Sequence, residues 1–336
     1  MKLTAKSPCR VDLAGGTLDI WPLYLYHPNA VTVNFAVNRY TSCTLETRAD
    51  SRIVLRSRDL DAEESFESLA QLCEARRYKL PLPAYLVRYF APQCGLTLDT
   101  DSEAPAGAGI AGSSSLIITI SSTLNRLTGS GYTIEQIREV SQNIEAQIIR
   151  VPTGCQDYYP AMYGGVSAIE LRPDGIHRKE IRVDHNELNE RTVLAYTGVP
   201  RNSGINNWEV TKAHINGDRV VHRNFRRIAA IAFAMRAALE KGDWKETGRL
   251  LREEWAHRRE NAPGITSPLI DRLVSVTRRA GALGAKVCGA GGGGCVLFLV
   301  EQGARARVAR LIEREGAQVL PVSVAPQGVR VRVAEK

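Results

Sequence analysis

Residues 105–115 constrain this chain more than any other segment: Pro-Ala-Gly-Ala-Gly-Ile-Ala-Gly-Ser-Ser-Ser. Gly107, Gly109 and Gly112 fall within six residues. Lacking a Cβ, they let the backbone approach a neighbour closely and take positive φ. The pattern of residues 113–127 predicts a helix directly after the loop. Such a helix turns its free N–H groups and the positive end of its dipole back into the loop, making an anion site. Adjacent serine hydroxyls add ligands for phosphate oxygens or a hard cation. The run has no GK[ST], so it offers no Walker-type lysine. A flexible linker before a serine-capped helix is the plainer reading of the same residues.

Around this loop the chain changes character twice. Residues 3–13, 30–46, 52–57 and 96–101 are rich in Val, Ile, Leu and Thr and read as strands. Residues 66–90 read as helical, interrupted by Pro81 and Pro83. Residues 133–150 read as a helix with Thr133 and Gln136 as its capping box. Strands return at 166–171, 177–182 and 192–196, and helices dominate 219–279, with Asp243 and Ser267 as caps. Short strands at 286–288 and 295–300, a helix at 304–313 and two strand-like segments close the chain. Blocks of strands followed by blocks of helices, without regular βαβ alternation, predict an α+β fold. The polar stretch 184–190 is the expected boundary, dividing the chain into 1–187 and 188–336.

The chain has 336 residues and a formal net charge of +8, which suits anionic partners such as nucleotides or phosphorylated sugars. Its basic clusters, at 223–227 and 258–259, lie in helical patterns with acids nearby, as solvated helix faces do. No nucleic-acid-binding signature occurs, so no nucleic acid partner is expected. Seven scattered cysteines without a CxxC pair argue against a disulfide framework or structural zinc. No apolar run approaches the roughly 20 residues of a membrane helix. A cytoplasmic protein acting on small molecules, as a monomer or homodimer, is the expectation.

Three segments then point to a family. Residues 105–115 resemble the second motif of the GHMP kinases, P-x-G-x-G-L-G-S-S, with Ala111 at its usual second glycine of G-L-G and Gly112 at its first serine. Ser7-Pro-Cys-Arg-Val-Asp-Leu-Ala-Gly-Gly-Thr-Leu-Asp19 resembles the first motif, A-P-G-R-V-N-L-I-G-E-H-T-D in galactokinases. Lys286-Val-Cys-Gly-Ala-Gly-Gly-Gly-Gly-Cys295 resembles the third, K-x-x-G-A-G-x-G-G-C. Glycines so dense between two strands let one backbone pass tightly by another, here the phosphate loop. Taken alone, the first segment reads as a strand ending in a Gly-Gly turn, and the third as a hairpin.

The resemblance implies a ribosomal protein S5-like N-terminal domain and a ferredoxin-like C-terminal domain with the active site between them. It implies ATP with Mg2+ at Pro105, Gly107, Ala108, Gly109, Ala111, Gly112, Ser113, Ser114 and Ser115, the register favouring Ser113 and then Ser114 as the metal-binding serine. Val151-Pro-Thr-Gly-Cys-Gln-Asp157 resembles the segment that carries the catalytic aspartate. Asp157 sits on that aspartate, Arg10 on the motif's basic position, and Glu145 near a magnesium-binding carboxylate. Without the resemblance, Asp157 reads as a helix cap and Glu145 as a solvated helix position. Gly15, Gly16, Thr17, Asp19, Gln156, Arg201, Gly291 and Gly292 are the expected substrate contacts. The Gly-Gly before Asp19 and the Gln-Asp-Tyr core look most like the heptose 7-phosphate kinase and fucokinase group. That implies phosphorylation of D-glycero-D-manno-heptose 7-phosphate at its anomeric hydroxyl. A free sugar such as fucose, galactose or arabinose is the alternative acceptor. A diphosphate decarboxylase and a sugar sensor without turnover are the alternatives of other classes.

Overall fold

One 17-residue strand organises the first half of the molecule. The computed structural model describes residues 1–200 and 203–333. Its elements run β1 (Lys2–Ala14), β2 (Val31–Thr47), β3 (Ile53–Ser57), β4 (Ala62–Phe66), α1 (Leu69–Glu74), α2 (Pro81–Phe90), β5 (Leu96–Ser102) and α3 (Gly112–Thr128). Then come α4 (Ile134–Ile149), α5 (Tyr158–Tyr163), β6 (Val166–Arg172), β7 (Gly175–Glu180), α6 (His185–Glu190) and β8 (Thr192–Tyr196). The remainder is α7 (Ser203–Ile215), α8 (Arg219–Glu240), α9 (Trp244–Arg258), α10 (Pro268–Arg279), β9 (Ala282–Val287), β10 (Cys295–Val300), α11 (Arg305–Arg314), β11 (Gln318–Leu320) and β12 (Arg330–Val333).

β2 pairs with β1 along most of its length, with β6 through Val31 to Phe35, and with β5 through Thr41 to Thr47. Its register against β1 jumps between Cys9↔Val37 and Pro8↔Tyr40, a bulge at the place where it changes partner. A bulge bends a strand and strengthens its twist, which lets β2 serve two flanks. Every β1 residue from Ser7 onward is at most a few per cent exposed except those at the turn beyond it. α3 lies against β1 and β2, and α8 also packs on them. A strand covered on both faces has no need of alternation, which is why the sequence shows it only in part.

Among the described residues the first sheet runs β12-β1-β2-β5-β3-β4, with β6 and β7 extending from β2. The second runs β11-β8-β10-β9, all antiparallel. Numbered in chain order, its strands stand 4-1-3-2, and the connections form two split βαβ units, the ferredoxin-like arrangement. The fold is therefore α+β, as expected. No helix among the described residues is long and apolar enough to cross a membrane.

The expected helix at 66–90 divides. β4 ends at Phe66, Ser68 caps α1 by accepting from Gln71 N, and Pro81 opens α2 at its first turn. Proline is well placed at that position because the missing N–H would lack a helical partner. The polar stretch at 184–190 is α6, capped by Asp184, which accepts from Asn186 N and Glu187 N.

The two sheets are joined by a buried ion pair. Asp12 on β1 and Lys286 on β9 are each 0% exposed, and Lys286 Nζ bonds Asp12 Oδ2. Gly289 N donates to Asp12 Oδ1 at 2.9 Å, and Arg10 Nη1 lies 3.4 Å from the same oxygen. Burial alone would raise the Asp12 pKa, but the charges of Lys286, Arg10 and Arg258 outweigh it and hold the carboxyl well below the usual range. Removing one partner of such a pair strands the other charge. Lys286→Met should therefore cost about 3–5 kcal/mol of stability in urea unfolding. A loss below about 1 kcal/mol would show that Arg10 alone suffices for Asp12.

Candidate active site

The loop between β5 and α3 takes its shape from three left-handed positions: Gly107 (φ 67°), Gly109 (φ 77°) and Ala111 (φ 61°). Ala111 is the N-cap of α3, which begins at Gly112. β1 and the second sheet hold the loop from below. Arg10 N donates to Ile110 O at 2.9 Å, and Cys295 N donates to Ala108 O at 2.7 Å. A Cβ on Gly294 would lie 2.6 Å from Ala108 O, so the close passage expected of the third glycine run against this loop is present. Gly112, Ser113 and Ser114 of the first turn of α3 line the cleft above.

Two clusters of charge flank the loop. Arg10, 2% exposed, donates through Nε to Asp157 Oδ1 at 2.8 Å, and its Nη2 lies 2.7 Å from the same oxygen. Its Nη1 donates to Gly109 O at 2.7 Å, so one guanidinium ties the carboxylate to the loop. On the other flank Glu145 accepts from Ser113 Oγ at 2.7 Å, from Ser114 Oγ at 3.0 Å and from the Tyr158 hydroxyl. Burial raises the Glu145 pKa against these hydrogen bonds. A buried carboxylate beside two serine hydroxyls at a helix N-terminus is an oxygen donor set that suits a hard divalent cation. Among the described residues no three His, Cys, Asp or Glu side chains gather as a metal site. A cation here would complete its shell with water or phosphate oxygens, as magnesium does.

Asp19 forms the third corner. It is 2% exposed and accepts from Gln156 N at 2.8 Å. The chain can come this close because Gly154 has no side chain: a Cβ there would lie 2.0 Å from Asp19 Oδ2. Burial, with the neighbouring Asp157 charge, pushes the Asp19 pKa up to about 7. Gln156 Oε1 is buried without a partner, leaving an acceptor beside the cleft.

Arg10, Gly16, Thr17, Asp19, Gln156, Asp157, Glu145 and residues 104–114 line one cleft of about 390 Å³, with Asn207, Gly289 and Ala290 on its far side. Several expected contacts are placed elsewhere. Ser115 points into the core, where its Oγ meets Thr41 Oγ1 at 2.8 Å and Ser7 Oγ at 2.9 Å. Gly15 is a packing position: a Cβ would meet Val31 O at 2.2 Å. Gly291 and Gly292 lie against Ile265, Gly292 N donating to Ile265 O at 2.8 Å, and Gly289 and Ala290 face the cleft instead. Arg201 lies outside the described residues. The sequence reading missed Asp12, Tyr158 and Arg258. Asp12 sits two residues from Arg10 on a strand buried on both faces, so its inward side was legible only as an unlikely place for an acid.

Comparison with known proteins bears on the family and the fold. The family model for the GHMP kinases N terminal domain matches residues 78–165, and that for GHMP kinases C terminal matches residues 235–318, together more than half of the chain. A D-glycero-alpha-D-manno-heptose 7-phosphate kinase of Campylobacter jejuni is 25% identical over 98% of both chains. An L-fucokinase/L-fucose-1-P guanylyltransferase of Bacteroides fragilis is 27% identical over 90% of this chain, which spans 35% of that longer protein. The solved structure of a D-glycero-D-manno-heptose 1-phosphate kinase from Bacteroides thetaiotaomicron superposes with a TM-score of 0.79 at 23% identity, covering 99% of this chain and 100% of that one.

The Asp19 environment has a thermodynamic consequence. In the folded protein its carboxyl keeps a proton to a pH of about 7, whereas an unperturbed aspartate releases it near 3.8. Stability contributed by the protonated form is present below that lower value and is lost as pH rises towards 7. Asp19→Asn keeps an acceptor for Gln156 N and removes the titration. Between pH 5 and pH 8 the variant should gain on the order of 2–4 kcal/mol relative to the parent in urea unfolding without ligands. Parallel stability profiles over that range would show that Asp19 titrates normally.

Proposed function

The chain belongs to the GHMP kinases, and on that premise we propose that it transfers the γ-phosphoryl group of ATP to the anomeric hydroxyl of D-glycero-D-manno-heptose 7-phosphate. One observation carries the reading: the Arg10–Asp157 pair, the glycine loop and Asp19 converge in a single cleft. We place the division between the units at 1–187 and 188–336, with Asn207, Gly289 and Ala290 closing the cleft from the second. ATP as donor puts the enzyme in the cytoplasm on this reading.

Phosphoryl transfer asks a protein mainly for positioning and neutralisation of charge. The N–H groups of the loop and of the first turn of α3 bind the phosphates. Ser113, Ser114 and Glu145 would hold Mg2+, which when bound neutralises phosphate charge. Asp157 takes the proton from the attacking hydroxyl. Arg10 fixes that carboxylate through Nε and Nη2 and, through Gly109 O, sets its position relative to the loop. Its planar fork makes these contacts together, which a lysine cannot. Asp19 and the free Gln156 Oε1 accept hydrogen bonds from acceptor hydroxyls.

A second reading, a free sugar such as fucose, galactose or arabinose as acceptor, has one observation in its favour. Arg10 is the only cationic side chain lining the cleft among the described residues, and it is engaged by Asp157. A substrate phosphate would call on a further cation, for which Arg201 is the proposed source. The same scarcity counts against a diphosphate substrate, and so against a decarboxylase. The paired base and arginine count against a sensor without turnover.

ADP release measured over a panel of free sugars and sugar phosphates decides between the acceptors. Heptose 7-phosphate should give the highest kcat/KM, and a free sugar exceeding it would establish the second reading. With the preferred acceptor, Asp157→Asn should lower kcat about 10²–10⁴-fold while leaving ATP affinity and folding intact. A folded Asp157→Asn protein with near-normal kcat would remove Asp157 as the base. Changing Ser113 and Ser114 together to alanine should weaken nucleotide binding in calorimetry when magnesium is present and much less when it is chelated.

A further inference from the structure

Thr17 has a φ of 70°. A β-branched residue takes this left-handed backbone only under strain. What holds it comes from helices far along the chain. Arg258, at the end of α9, is 4% exposed. Its Nη2 donates to Gly16 O at 2.8 Å and its Nη1 to Thr17 Oγ1 at 3.3 Å. Thr17 Oγ1 donates in turn to Asn207 Oδ1 on α7 at 3.2 Å.

The guanidinium is itself fixed. Glu254, one turn earlier on α9 and 0% exposed, accepts from Arg258 Nε at 2.9 Å and Nη2 at 2.5 Å. Within the turn, Leu18 N donates to Gly15 O at 3.2 Å and Ile20 N donates to Thr17 O at 3.1 Å. These bonds place Asp19 between two anchored residues. The hydrogen bonds of the Arg258 side chain to described residues go to Glu254, Gly16 and Thr17, and none goes to the loop at 104–112.

We propose that Arg258 is a positioning residue for the acceptor: by holding Gly16 O and Thr17 Oγ1 it keeps the strained turn that aims Asp19 into the cleft. The inference rests on the reading of Asp19 as an acceptor-binding carboxylate. It means that a residue of the second unit, remote from the nucleotide loop, sets acceptor affinity and leaves donor affinity alone. Strain at a binding turn is maintained only where the surroundings over-determine it, and here two side chains from two helices do so.

Charge and hydrogen-bond geometry must be separated in the test, because the Arg258 charge also acts on Asp12 and Asp19. Arg258→Lys keeps the charge and a partner for Glu254 but loses the fork that reaches Gly16 and Thr17 together. The acceptor KM should rise about tenfold, with the KM for ATP within about twofold of the parent. Amide hydrogen exchange at Leu18 and Ile20 should accelerate in the same variant. Adding Thr17→Gly should recover part of that protection, because glycine takes a φ near 70° without strain although the bond to Asn207 is lost. If Arg258→Lys is poorly folded, Arg258→Met with Glu254→Leu removes both buried charges and tests the turn through exchange at Leu18 and Ile20 alone, since the lost charge also acts on Asp12 and Asp19. Unchanged exchange at Leu18 and Ile20 in a folded variant would overturn the proposal and leave the role of Asp19 standing. Faster exchange with an unchanged acceptor KM would overturn it from the other side, by showing that this turn does not form the acceptor pocket.

Discussion

A carboxylate with no access to water has to find its counter-charge inside the protein, and Asp12 finds it from two directions. Arg10 is two residues away on the same strand, and Lys286 reaches it from a strand of the other sheet. Gly289 N supplies a further hydrogen bond. The arrangement does more than neutralise. Arg10 is left free to turn its remaining donors to Asp157 and Gly109 O, and Lys286 brings the glycine run that follows it under the phosphate loop. The loop, Asp157 and the second sheet thus share one electrostatic node. The position of each depends on a residue that does not itself line the cleft.

Much of this was legible in the sequence because the chemistry requires unusual local composition. Glycines at 107, 109 and 112 before a serine run announce an anion loop, and Gly289 with Gly291 to Gly294 announces a tight backbone passage. The helix caps at Thr133, Asp243 and Ser267 were readable from residue type alone, and each accepts the expected backbone hydrogen bond. Side-chain direction was not readable. Ser113, Ser114 and Ser115 are equivalent as letters, yet two reach Glu145 and the third turns into a core of hydroxyls with Ser7, Thr41 and Thr119. That difference follows from the 100° step of a helix, and the phase of the helix is set by what it packs on. Arg258 was seen as part of a basic helix face because its burial depends on a turn 241 residues earlier in the chain.

Two non-glycine residues at the cleft take left-handed backbone, Ala111 and Thr17. Both line the same cleft and are held differently. Ala111 caps a helix that is itself pinned by buried hydroxyls, so its strain of about 1–2 kcal/mol is offset by the packing of α3. Glycine, which the resembled motif carries at this place, would sit there without strain. Thr17 relies on side chains from another part of the chain. Ala111 is therefore held within the loop and helix that it joins, whereas Thr17 is held by side chains 190 and 241 residues away in the chain.

β2 takes β1, β5 and β6 as partners, and β12 closes on the free edge of β1 at Leu3 to Lys6. A ribosome releases these pieces far apart in time. When residues 1–187 have emerged, most of the first sheet can pair, but Asp12 has no Lys286, the phosphate loop has no glycine strand beneath it, and β1 shows an unpaired edge. At about 5–20 residues per second the missing pieces arrive roughly 5–30 seconds later. Through that interval the growing chain carries an exposed strand edge, the kind of surface on which other chains pair. An enzyme whose two sheets complete each other in this way matures as a whole, and its first sheet stays open to wrong partners until the second has been made.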